Sequence, residues 1–231
     1  MAGCFHIWNQ IWIRRKHGEK QMVDLRIEEY NVGDIGTNCY FIVNADTKEM
    51  VLIDPGGNGE DLIRRIKERG LNLQAVLLTH GHYDHAHHAR MVADAFGVPV
   101  YASEKEKVTM HDIQKNVSAM FGNPETYDAD VYTKDGEVLN LAGFTIKVIS
   151  TPGHTEGGCC YYFDGNKVLA SGDTLFCGSV GRTDFKGGSM SDLVRSVKEK
   201  LFILPNDTAV LPGHEARTTI GYEKQYNMYL A

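Results

Sequence analysis

The sequence predicts an α/β fold class. The predicted sheet begins with antiparallel strands, which is a feature of α+β proteins. Short apolar runs with β-branched residues alternate with segments of helical periodicity along the chain. The first three predicted strands follow one another without a helix between them, which is typical of an antiparallel hairpin series. Histidines and aspartates collect directly after several predicted strands. The strand ends are therefore expected to carry the chemistry.

The first half of the chain supplies five predicted strands and two predicted helices. The strands are 23–30, 38–45, 50–53, 74–78 and 98–101. The helices are 60–69 and about 86–96. Leu62, Ile63 and Ile66 lie on one face of the first helix. Gly70 and Gly97 can end the two helices, because glycine tolerates the left-handed conformation found there.

The second half is again a series of strands and helices. The predicted strands are 138–141, 144–149, 159–163, 167–170 and 208–211, and the predicted helices are 190–201 and 219–230. Turn residues at 142–143 and 164–166 favour two hairpins. The stretch 104–120 is polar, with only weak helical periodicity. No Pro/Gly/Ser-rich linker divides the chain, so a single domain is predicted over 22–231.

Composition and charge exclude several kinds of partner. The 24 basic and 30 acidic residues give a net charge of −6, and the basic residues are scattered. Nucleic-acid binding needs a basic patch, so no nucleic-acid partner is expected. No apolar run reaches transmembrane length, so no membrane partner is expected. The five cysteines are odd in number and irregularly spaced, which favours free thiols and a cytoplasmic location.

Residues 1–21 are expected to form an N-terminal extension outside the domain. Ile7, Trp8, Ile11 and Trp12 lie at helical spacing and precede a basic cluster, the reverse of the order in a signal peptide. The alternative is an amphipathic anchor to a membrane or to a partner, including a second copy in a homodimer.

A dense group of potential metal ligands follows predicted strand 74–78. His80 and His82, two positions apart, can converge on one ion from an extended loop. Asp84 and His85 follow at the start of the next helix, where their side chains diverge from the first pair. Imidazole and carboxylate together suit zinc, iron or manganese better than calcium or magnesium. A second ion could therefore lie beside the first.

This H-x-H-x-D-H motif after an apolar strand resembles the metallo-β-lactamase superfamily and, within it, the glyoxalase II-like hydrolases. Three later landmarks of that family follow in order: His154 in Thr-Pro-Gly-His-Thr, Asp173 in Ser-Gly-Asp-Thr and His214 in Leu-Pro-Gly-His-Glu. The resemblance covers about 22–231. It implies a four-layer αββα sandwich with ligands at strand ends.

The resemblance also implies a centre with two divalent metal ions, zinc first and iron or manganese as alternatives. The expected ligands are His80, His82 and His154 for the first ion, Asp84, His85 and His214 for the second, and Asp173 as the bridge. Asp84 and Asp173 are also the expected catalytic residues. Asp54 is expected to support the metal loop from outside, with a turn or helix-cap role as the alternative. A mononuclear site is the alternative to two ions.

The function implied by the resemblance is hydrolysis of a small-molecule thioester or ester by a metal-bound hydroxide, as in hydroxyacylglutathione hydrolase. Full-length glyoxalase II carries a C-terminal helical domain that binds glutathione, whereas 17 residues (231 − 214) follow His214 here. A smaller thioester, an ester or a lactone is therefore an alternative substrate. The other alternative is a mononuclear iron persulfide dioxygenase that uses His80, His154 and Asp173. A β-lactamase is less expected, since those enzymes generally lack Asp84 together with a bridging Asp173.

Three further residues near the motifs have open roles. Arg182 lies in a Gly-Arg-Thr-Asp loop and is the candidate substrate residue, because an arginine can bind a carboxylate through two hydrogen bonds. An ion pair with Asp184 that holds the loop is the alternative. His87 and His88 depart from the family pattern and are expected to face solvent, with a role as extra or supporting ligands as the alternative.

Overall fold

The structure, a computed structural model, describes residues 11–13 and 23–230 of the chain. Within these residues the strands are β1 Ile11–Ile13, β2 Leu25–Val32, β3 Thr37–Asn44, β4 Glu49–Ile53, β5 Asn72–Leu77, β6 Val100–Ser103, β7 Val131–Thr133, β8 Val138–Leu141, β9 Phe144–Ser150, β10 Cys159–Phe163, β11 Val168–Gly172, β12 Leu175–Phe176, β13 Ser179–Val180, β14 Ala209–Pro212 and β15 Thr218–Thr219. The helices are α1 Gly59–Glu68, α2 Tyr83–Ala86, α3 Ala89–Phe96, α4 Lys107–Met110, α5 Met190–Ser196 and α6 Ile220–Tyr226. Three 3-10 turns cover Glu104–Glu106, Ser118–Phe121 and Asp164–Asn166, and a π-helical turn over Val197–Leu201 continues α5.

Two large sheets form the frame of the molecule. The first has the order β1-β2-β3-β4-β5-β6-β7, and the second has the order β15-β14-β11-β10-β9-β8. The first sheet is antiparallel from β1 to β4 and parallel from β4 to β7. In the second sheet β11 and β14 run parallel, so their carboxyl ends lie at the same edge.

Three apolar clusters join four layers. One contains Ile66 of α1 and Val92 of α3 together with residues of the first sheet. The second lies between the two sheets and includes Ile42 and Phe163. The third packs Leu193 of α5 against the outer face of the second sheet. Each sheet is therefore covered on both faces, and the expected αββα sandwich is confirmed.

Strand β3 illustrates why the central strands have nearly continuous apolar sequences. Its eight residues are all buried. Cys39 and Phe41 point to the helix-side cluster, whereas Tyr40 and Ile42 point to the cluster between the sheets. Successive side chains of a strand point to opposite faces, and here both faces are dry.

Several boundaries differ from the sequence prediction for physical reasons. The helix expected over 86–96 is split into α2 and α3, because the His88 backbone N–H donates to Pro55 O at 3.1 Å instead of continuing the helix. The polar stretch 104–120 contains the 3-10 turn Glu104–Glu106, helix α4 and the start of the 3-10 turn Ser118–Phe121. The terminal helix ends at Tyr226 and not at residue 230. The short strands β7, β12, β13 and β15 were not predicted, since two or three residues carry no periodicity.

The helical interpretation of the N-terminal residues is wrong for Ile11 and Trp12. These residues lie in β1, which pairs antiparallel with β2 through Ile11 and Ile27. The edge of β2 offers backbone groups that a further strand can satisfy. Ile7 and Trp8 lie outside the described residues. Over the part of the chain that the structure describes, no helix combines the length and the apolarity needed to cross a membrane.

Candidate metal centre

The predicted ligands come from four loops at one edge of the sandwich. His80 and His82 follow β5, and α2 then carries Asp84 and His85 in its first turn. The other three follow the ends of second-sheet strands: His154 after β9, Asp173 after β11 and His214 after β14. All seven predicted ligands are therefore brought to one place.

Three histidines form the first group. His82 Nδ1 lies 3.1 Å from His80 Nε2 and 2.9 Å from His154 Nε2. All three residues are buried, and their ligand atoms lie within 4.8 Å of one another. This arrangement gives three nitrogen atoms that converge on one point.

The second group contains Asp84, His85 and His214. His214 Nε2 lies 3.2 Å and His85 Nε2 lies 3.4 Å from Asp84 Oδ2. Asp173 lies between the two groups, since its Oδ2 is 3.4 Å from His154 Nε2 and 3.6 Å from His214 Nε2. Its Oδ1 is 3.3 Å from His85 Nε2. The carboxylate of Asp173 thus contacts both groups at once.

Glycine at position 213 permits this close approach. A Cβ atom at Gly213 would lie 2.2 Å from Asp173 Oδ1 and 2.7 Å from His85 Cε1. Any larger residue would push these two side chains apart. The glycine before His214 in the sequence motif therefore has a steric reason.

The outer nitrogens of three imidazoles are held by oxygen atoms. His154 Nδ1 donates to Arg182 O at 2.7 Å, and His85 Nδ1 donates to Asp54 Oδ2 at 2.9 Å. His80 Nδ1 lies 3.1 Å from Thr79 Oγ1, which itself donates to Asp54 Oδ2 at 2.6 Å. A nitrogen that donates carries the ring proton, so the inner Nε2 atom of each neutral ring carries a lone pair.

These lone pairs fit a bound cation. His82 Nδ1 lies close to both His80 Nε2 and His154 Nε2 but can donate a hydrogen bond to only one of them. The lone pair of the other Nε2 atom therefore has no proton to accept from His82. His85 Nε2 and Asp173 Oδ1 are buried and have no hydrogen-bond partner. Buried polar atoms are normally paired. The nitrogen and carboxylate donor set matches zinc, iron or manganese.

Burial keeps the histidines of the first group neutral. It lowers the pKa of His80 well below its usual value, and neighbouring imidazoles add to the effect. The pKa of His82 falls to about 3, mainly through burial and then through His154. The pKa of His154 is also lowered by burial, although Asp173 opposes the shift. Neutral imidazole is the form that binds metals.

The second group behaves in the opposite way. Burial acts to lower the pKa of His85, but the charges of Asp84, Asp173 and Asp54 outweigh it and raise that pKa well above its usual value. The pKa of His214 is raised despite burial, through its hydrogen bond with Asp84. Burial acts to raise the pKa of Asp173, but His85 lowers it to about 2. In the metal-free protein, the negative charges of these carboxylates favour protonation of His85 and His214. A bound cation would neutralise the same negative charge.

Asp54 holds the metal loop from outside. Its Oδ1 accepts from Thr79 N at 2.8 Å, and its Oδ2 accepts from Thr79 Oγ1 and His85 Nδ1. Asp54, His80 and His85 also lie close enough together to form a group of potential metal ligands. The Asp54 carboxylate, however, already accepts three hydrogen bonds. The helix-cap alternative is wrong, because the residue before α1 is Asn58.

Sequence reasoning missed Glu106. This carboxylate is fully buried and joins the two loops that carry the first group. Its Oε1 accepts from Gly81 N at 2.9 Å, and its Oε2 accepts from Thr155 Oγ1 and Gly157 N, both at 2.9 Å. Burial raises the pKa of Glu106 to about 7. Its donors lie 25 to 51 positions away, so no local sequence signal exists.

Arg182 forms the ion pair that was the alternative to substrate binding. Its Nε and Nη2 donate to the two carboxylate oxygens of Asp184, each at 2.7 Å. The guanidinium lies 4.0 Å from the centre of the Phe185 ring, and this ring meets the edge of His82 at 5.6 Å. The arginine side chain is 58% exposed, so it lies at the open rim of the centre.

His87 and His88 are not free solvent-facing residues, which corrects the expectation. His87 Nδ1 contacts Glu125 Oε1. His88 Nδ1 accepts from Gly59 N at 2.9 Å. Neither belongs to a group of potential metal ligands within the described residues. Together with Asp84, both histidines line one cavity beside the centre.

Comparison with known proteins places the chain in a family. The sequence profile of the Metallo-beta-lactamase superfamily matches residues 32–214. The chain belongs to this superfamily. Hydroxyacylglutathione hydrolase GloC of Haemophilus influenzae is 39% identical over 211 residues, which cover 89% of this chain and 98% of that protein. Probable metallo-hydrolase YqgX of Bacillus subtilis is 39% identical over 202 residues, which cover 86% and 94%.

Solved structures agree with this family. BLEG-1 B3 metallo-beta-lactamase has a TM-score of 0.84 and 40% identity, covering 89% of this chain and 99% of that chain. TTHA1623 in a di-iron-bound form has a TM-score of 0.77 and 32% identity, covering 87% and 99%. ETHE1 from Myxococcus xanthus has a TM-score of 0.73 and 28% identity, covering 87% and 83%. The chain is therefore a metallo-hydrolase of this superfamily, with histidine and aspartate groups that suit divalent metals.

Proposed function

We propose that the protein is a hydrolase that uses two divalent metal ions to cleave a small-molecule thioester. The observation that carries this proposal is the position of Asp173. Its Oδ2 lies 3.4 Å from His154 Nε2 of the first group and 3.6 Å from His214 Nε2 of the second, and its Oδ1 lies 3.3 Å from His85 Nε2, so the two groups share one carboxylate. A site built for one ion would not need both groups.

In this proposal the seven residues hold the metal as two sets with a common member. The sets are His80, His82, His154 and Asp173, and Asp84, His85, His214 and Asp173. Bound metal ions would supply a water molecule of lowered pKa and a positive field for the carbonyl oxygen of the substrate. Zinc is the first choice for this donor set, with iron and manganese as alternatives; TTHA1623, a similar structure, is in a di-iron-bound form.

The catalytic carboxylates of this chain would orient the attacking water. Asp84 Oδ2 already accepts from Thr37 Oγ1 at 2.8 Å, which fixes the rotation of the side chain. Asp84 and Asp173 can each accept a hydrogen bond from the water and so direct its lone pair toward the substrate. With metal bound, Asp54 would keep the single proton of neutral His85 on Nδ1 and leave Nε2 to the metal. No protein nucleophile is required.

Thioesters are the proposed substrate class because a 39% identical relative is a hydroxyacylglutathione hydrolase. Arg182 would bind a carboxylate of the acyl group at the rim of the centre. To do so, it would give up its ion pair with Asp184. Esters and lactones remain alternative substrates of the same chemistry. We also propose a single domain over 22–231, with 1–21 as an extension whose residues Ile11–Ile13 pair with β2. A cytoplasmic location is proposed as well, because the buried residues Cys39, Cys159 and Cys160 form no disulfide, which supports a reducing environment.

The test combines metal analysis with a substrate panel on one purified sample. We expect one to two equivalents of zinc, iron or manganese and hydrolysis of S-lactoylglutathione and of shorter thioesters. Asp173→Ala should lose both metal and turnover, because it serves both groups. Full activity in a metal-free sample, or normal metal content and kcat in Asp173→Ala, would overturn the proposal.

Two further arms of the panel test other reactions. A persulfide substrate with oxygen uptake tests the dioxygenase alternative, in which His80, His154 and Asp173 would hold one iron. A chromogenic cephalosporin tests β-lactam hydrolysis, which is included because BLEG-1 B3 metallo-beta-lactamase is 40% identical. Oxygen uptake without thioester cleavage would favour the dioxygenase. Cephalosporin turnover faster than thioester turnover would favour a lactamase.

A further inference from the structure

We propose that a cavity beside Asp84 binds one end of the substrate, and that this end is an uncharged ring or alkyl group. The inference rests on the proposed hydrolase function, to which it adds a substrate class. The cavity, called the side cavity, has a volume of about 270 Å³. Its walls come from the β2–β3 turn, the loop after β4, helix α2 and Phe121.

The size of the side cavity suits a ring or a short chain. A dry cavity of about 150 Å³ is enough to admit benzene. The side cavity is larger and opens next to Asp84, one of the proposed catalytic carboxylates. A group seated there would be joined to a carbonyl at the metal centre without a long spacer.

The walls are held in place before any ligand arrives. Gly33 N in the β2–β3 turn donates to Asn58 Oδ1 at 2.7 Å, and Gly59 N donates to His88 Nδ1 at 2.9 Å. A Cβ atom at Gly57 would lie 2.4 Å from Gly33 N, so the turn and the loop meet in direct backbone contact. The cavity is therefore a preformed feature of the fold, as most small-molecule sites are.

One wall is a stack of three rings. The Tyr83 ring is stacked on Phe121 with centroids 5.2 Å apart and on His87 with centroids 4.6 Å apart. Glu125 anchors the stack, because its Oε1 contacts His87 Nδ1 and accepts from Tyr127 Oη at 3.1 Å. An aromatic wall of this kind favours the face or edge of another ring.

The charges around the side cavity exclude anions. None of the residues that line it is lysine or arginine, and its two carboxylates are Asp34 and Asp84. Burial lowers the pKa of His88, so its imidazole is neutral at physiological pH. A carboxylate entering here would lose water and find no lysine or arginine among the lining residues to pair with. Ile35 and Phe121, 43% and 47% exposed, offer apolar surface that an uncharged group would cover.

The rim beside the first histidine group differs in charge from the side cavity. Arg182 lies there, beside the ring of Phe185 and the first histidine group. The centre is thus flanked by a guanidinium on one side and by an uncharged, partly aromatic cavity on the other. A thioester with one polar or anionic end and one uncharged end matches this asymmetry. A substrate with carboxylates at both ends, such as a glutathione thioester of a dicarboxylic acid, does not.

The experiment compares Ile35→Asp with the matched control Met120→Asp. Both substitutions add one negative charge at an exposed apolar residue, but Met120, 66% exposed, does not line the side cavity. The substrates are S-methyl thioacetate and two ring-bearing relatives, S-benzyl thioacetate and S-methyl phenylthioacetate, so that the ring is tested on either side of the carbonyl. All variants are used as full chains with metal bound.

We expect Ile35→Asp to raise KM at least tenfold for one ring-bearing substrate while its kcat stays within twofold. KM for S-methyl thioacetate should not change, and Met120→Asp should leave all three substrates unaffected. Phe121→Asp, in the aromatic wall, should repeat the selective effect. An equal change of KM for all three substrates, or no change for any, would overturn the side cavity as a binding site.

A binding measurement separates this inference from the hydrolase proposal. Benzyl methyl sulfide has the ring but cannot be hydrolysed, and its binding can be followed by ligand-observed NMR. If no thioester is cleaved but the sulfide binds the wild type and not Ile35→Asp, the hydrolase proposal fails and the side cavity stands. If thioesters are cleaved but the sulfide binds both proteins equally or neither, the side cavity fails and the hydrolase proposal stands.

Discussion

Replacing Asp54 by Asn tests whether the proton position on His85 is set from outside the centre. Asp54 accepts three hydrogen bonds, from Thr79 N at 2.8 Å, from Thr79 Oγ1 at 2.6 Å and from His85 Nδ1 at 2.9 Å. An amide of the same size has only one acceptor oxygen. If that oxygen stays with Thr79 N, the amide N–H groups face Thr79 Oγ1 and His85 Nδ1. His85 Nδ1 must then accept, and the ring proton moves to Nε2.

The expected size of the effect follows from these contacts. A hydrogen bond to a charged group contributes about 1.5–3 kcal/mol, so we expect the metal-free variant to lose about that much unfolding free energy. Loss of an outer partner of a metal ligand typically lowers metal affinity by about 10–100-fold, which equals about 1.4–2.8 kcal/mol. The proton on Nε2 would occupy the atom of His85 that faces Asp84 and Asp173. We expect zinc affinity to fall by the same factor.

Zinc affinity can be measured by competition with a chelating dye, and stability by urea unfolding of the metal-free protein. Asp207→Asn is the matched control, because Asp207 is exposed and pairs with Lys167 at 2.8 Å on the surface. The control should change neither quantity. If the zinc affinity of Asp54→Asn is within twofold of the wild type, Asp54 does not control the proton position on the His85 ring.

Four other outcomes are expected. The carboxylates raise the pKa of His85 and of His214 and so favour their protonated forms in the metal-free protein. Zinc binding should therefore release protons and weaken as the pH falls; calorimetry in buffers of different ionisation enthalpy checks this, and a buffer-independent heat would contradict it. Burial raises the pKa of Glu106 from 4.5 to about 7, so the free energy of unfolding of the wild type should fall as the pH rises between these values. In urea unfolding, Glu106→Gln should lack this pH-dependent loss of stability. The variant should also lose zinc at least tenfold faster. Arg182→Ala should raise KM about tenfold for acyl groups that bear a carboxylate and leave neutral thioesters unchanged; equal effects in steady-state kinetics would return Arg182 to its ion pair with Asp184. Metal removal by a chelator should lower the Tm, and an unchanged Tm would mean that the groups do not bind metal in solution.

Much of the centre could be predicted because its ligands lie next to strand ends. His154, Asp173 and His214 are each within a few residues of a strand whose apolar pattern is readable. The position of each strand in its sheet then determines where the ligand that follows it lies. Glu106 could not be found in this way, because its three donors belong to loops 25 or more positions away. Only the folded chain brings them together.

The missed helix break has the same kind of cause. The sequence over 86–96 is compatible with one helix, and local propensity favours one. The bond from His88 N to Pro55 O interrupts it, and this bond depends on how closely the loop after β4 approaches α2. A Cβ atom at Gly56 would lie 1.5 Å from Asp84 O, so that approach requires a glycine. Long-range backbone contact thus overrides the local preference.

Contacts between the sheets explain why the two ligand groups keep their spacing. The first sheet leads into the loop of His80 and the second sheet leads into the loops of Asp173 and His214, so the distance between groups depends on how the sheets pack. Two backbone bonds fix that packing at the edge of the centre. Cys159 N donates to Thr79 O at 2.8 Å, and Asn38 N donates to Gly213 O at 2.7 Å. A metal ion held by both loops would add a third connection between the same sheets. Metal binding and sandwich stability should therefore be coupled, because the unfolded chain cannot present both sets of ligands together.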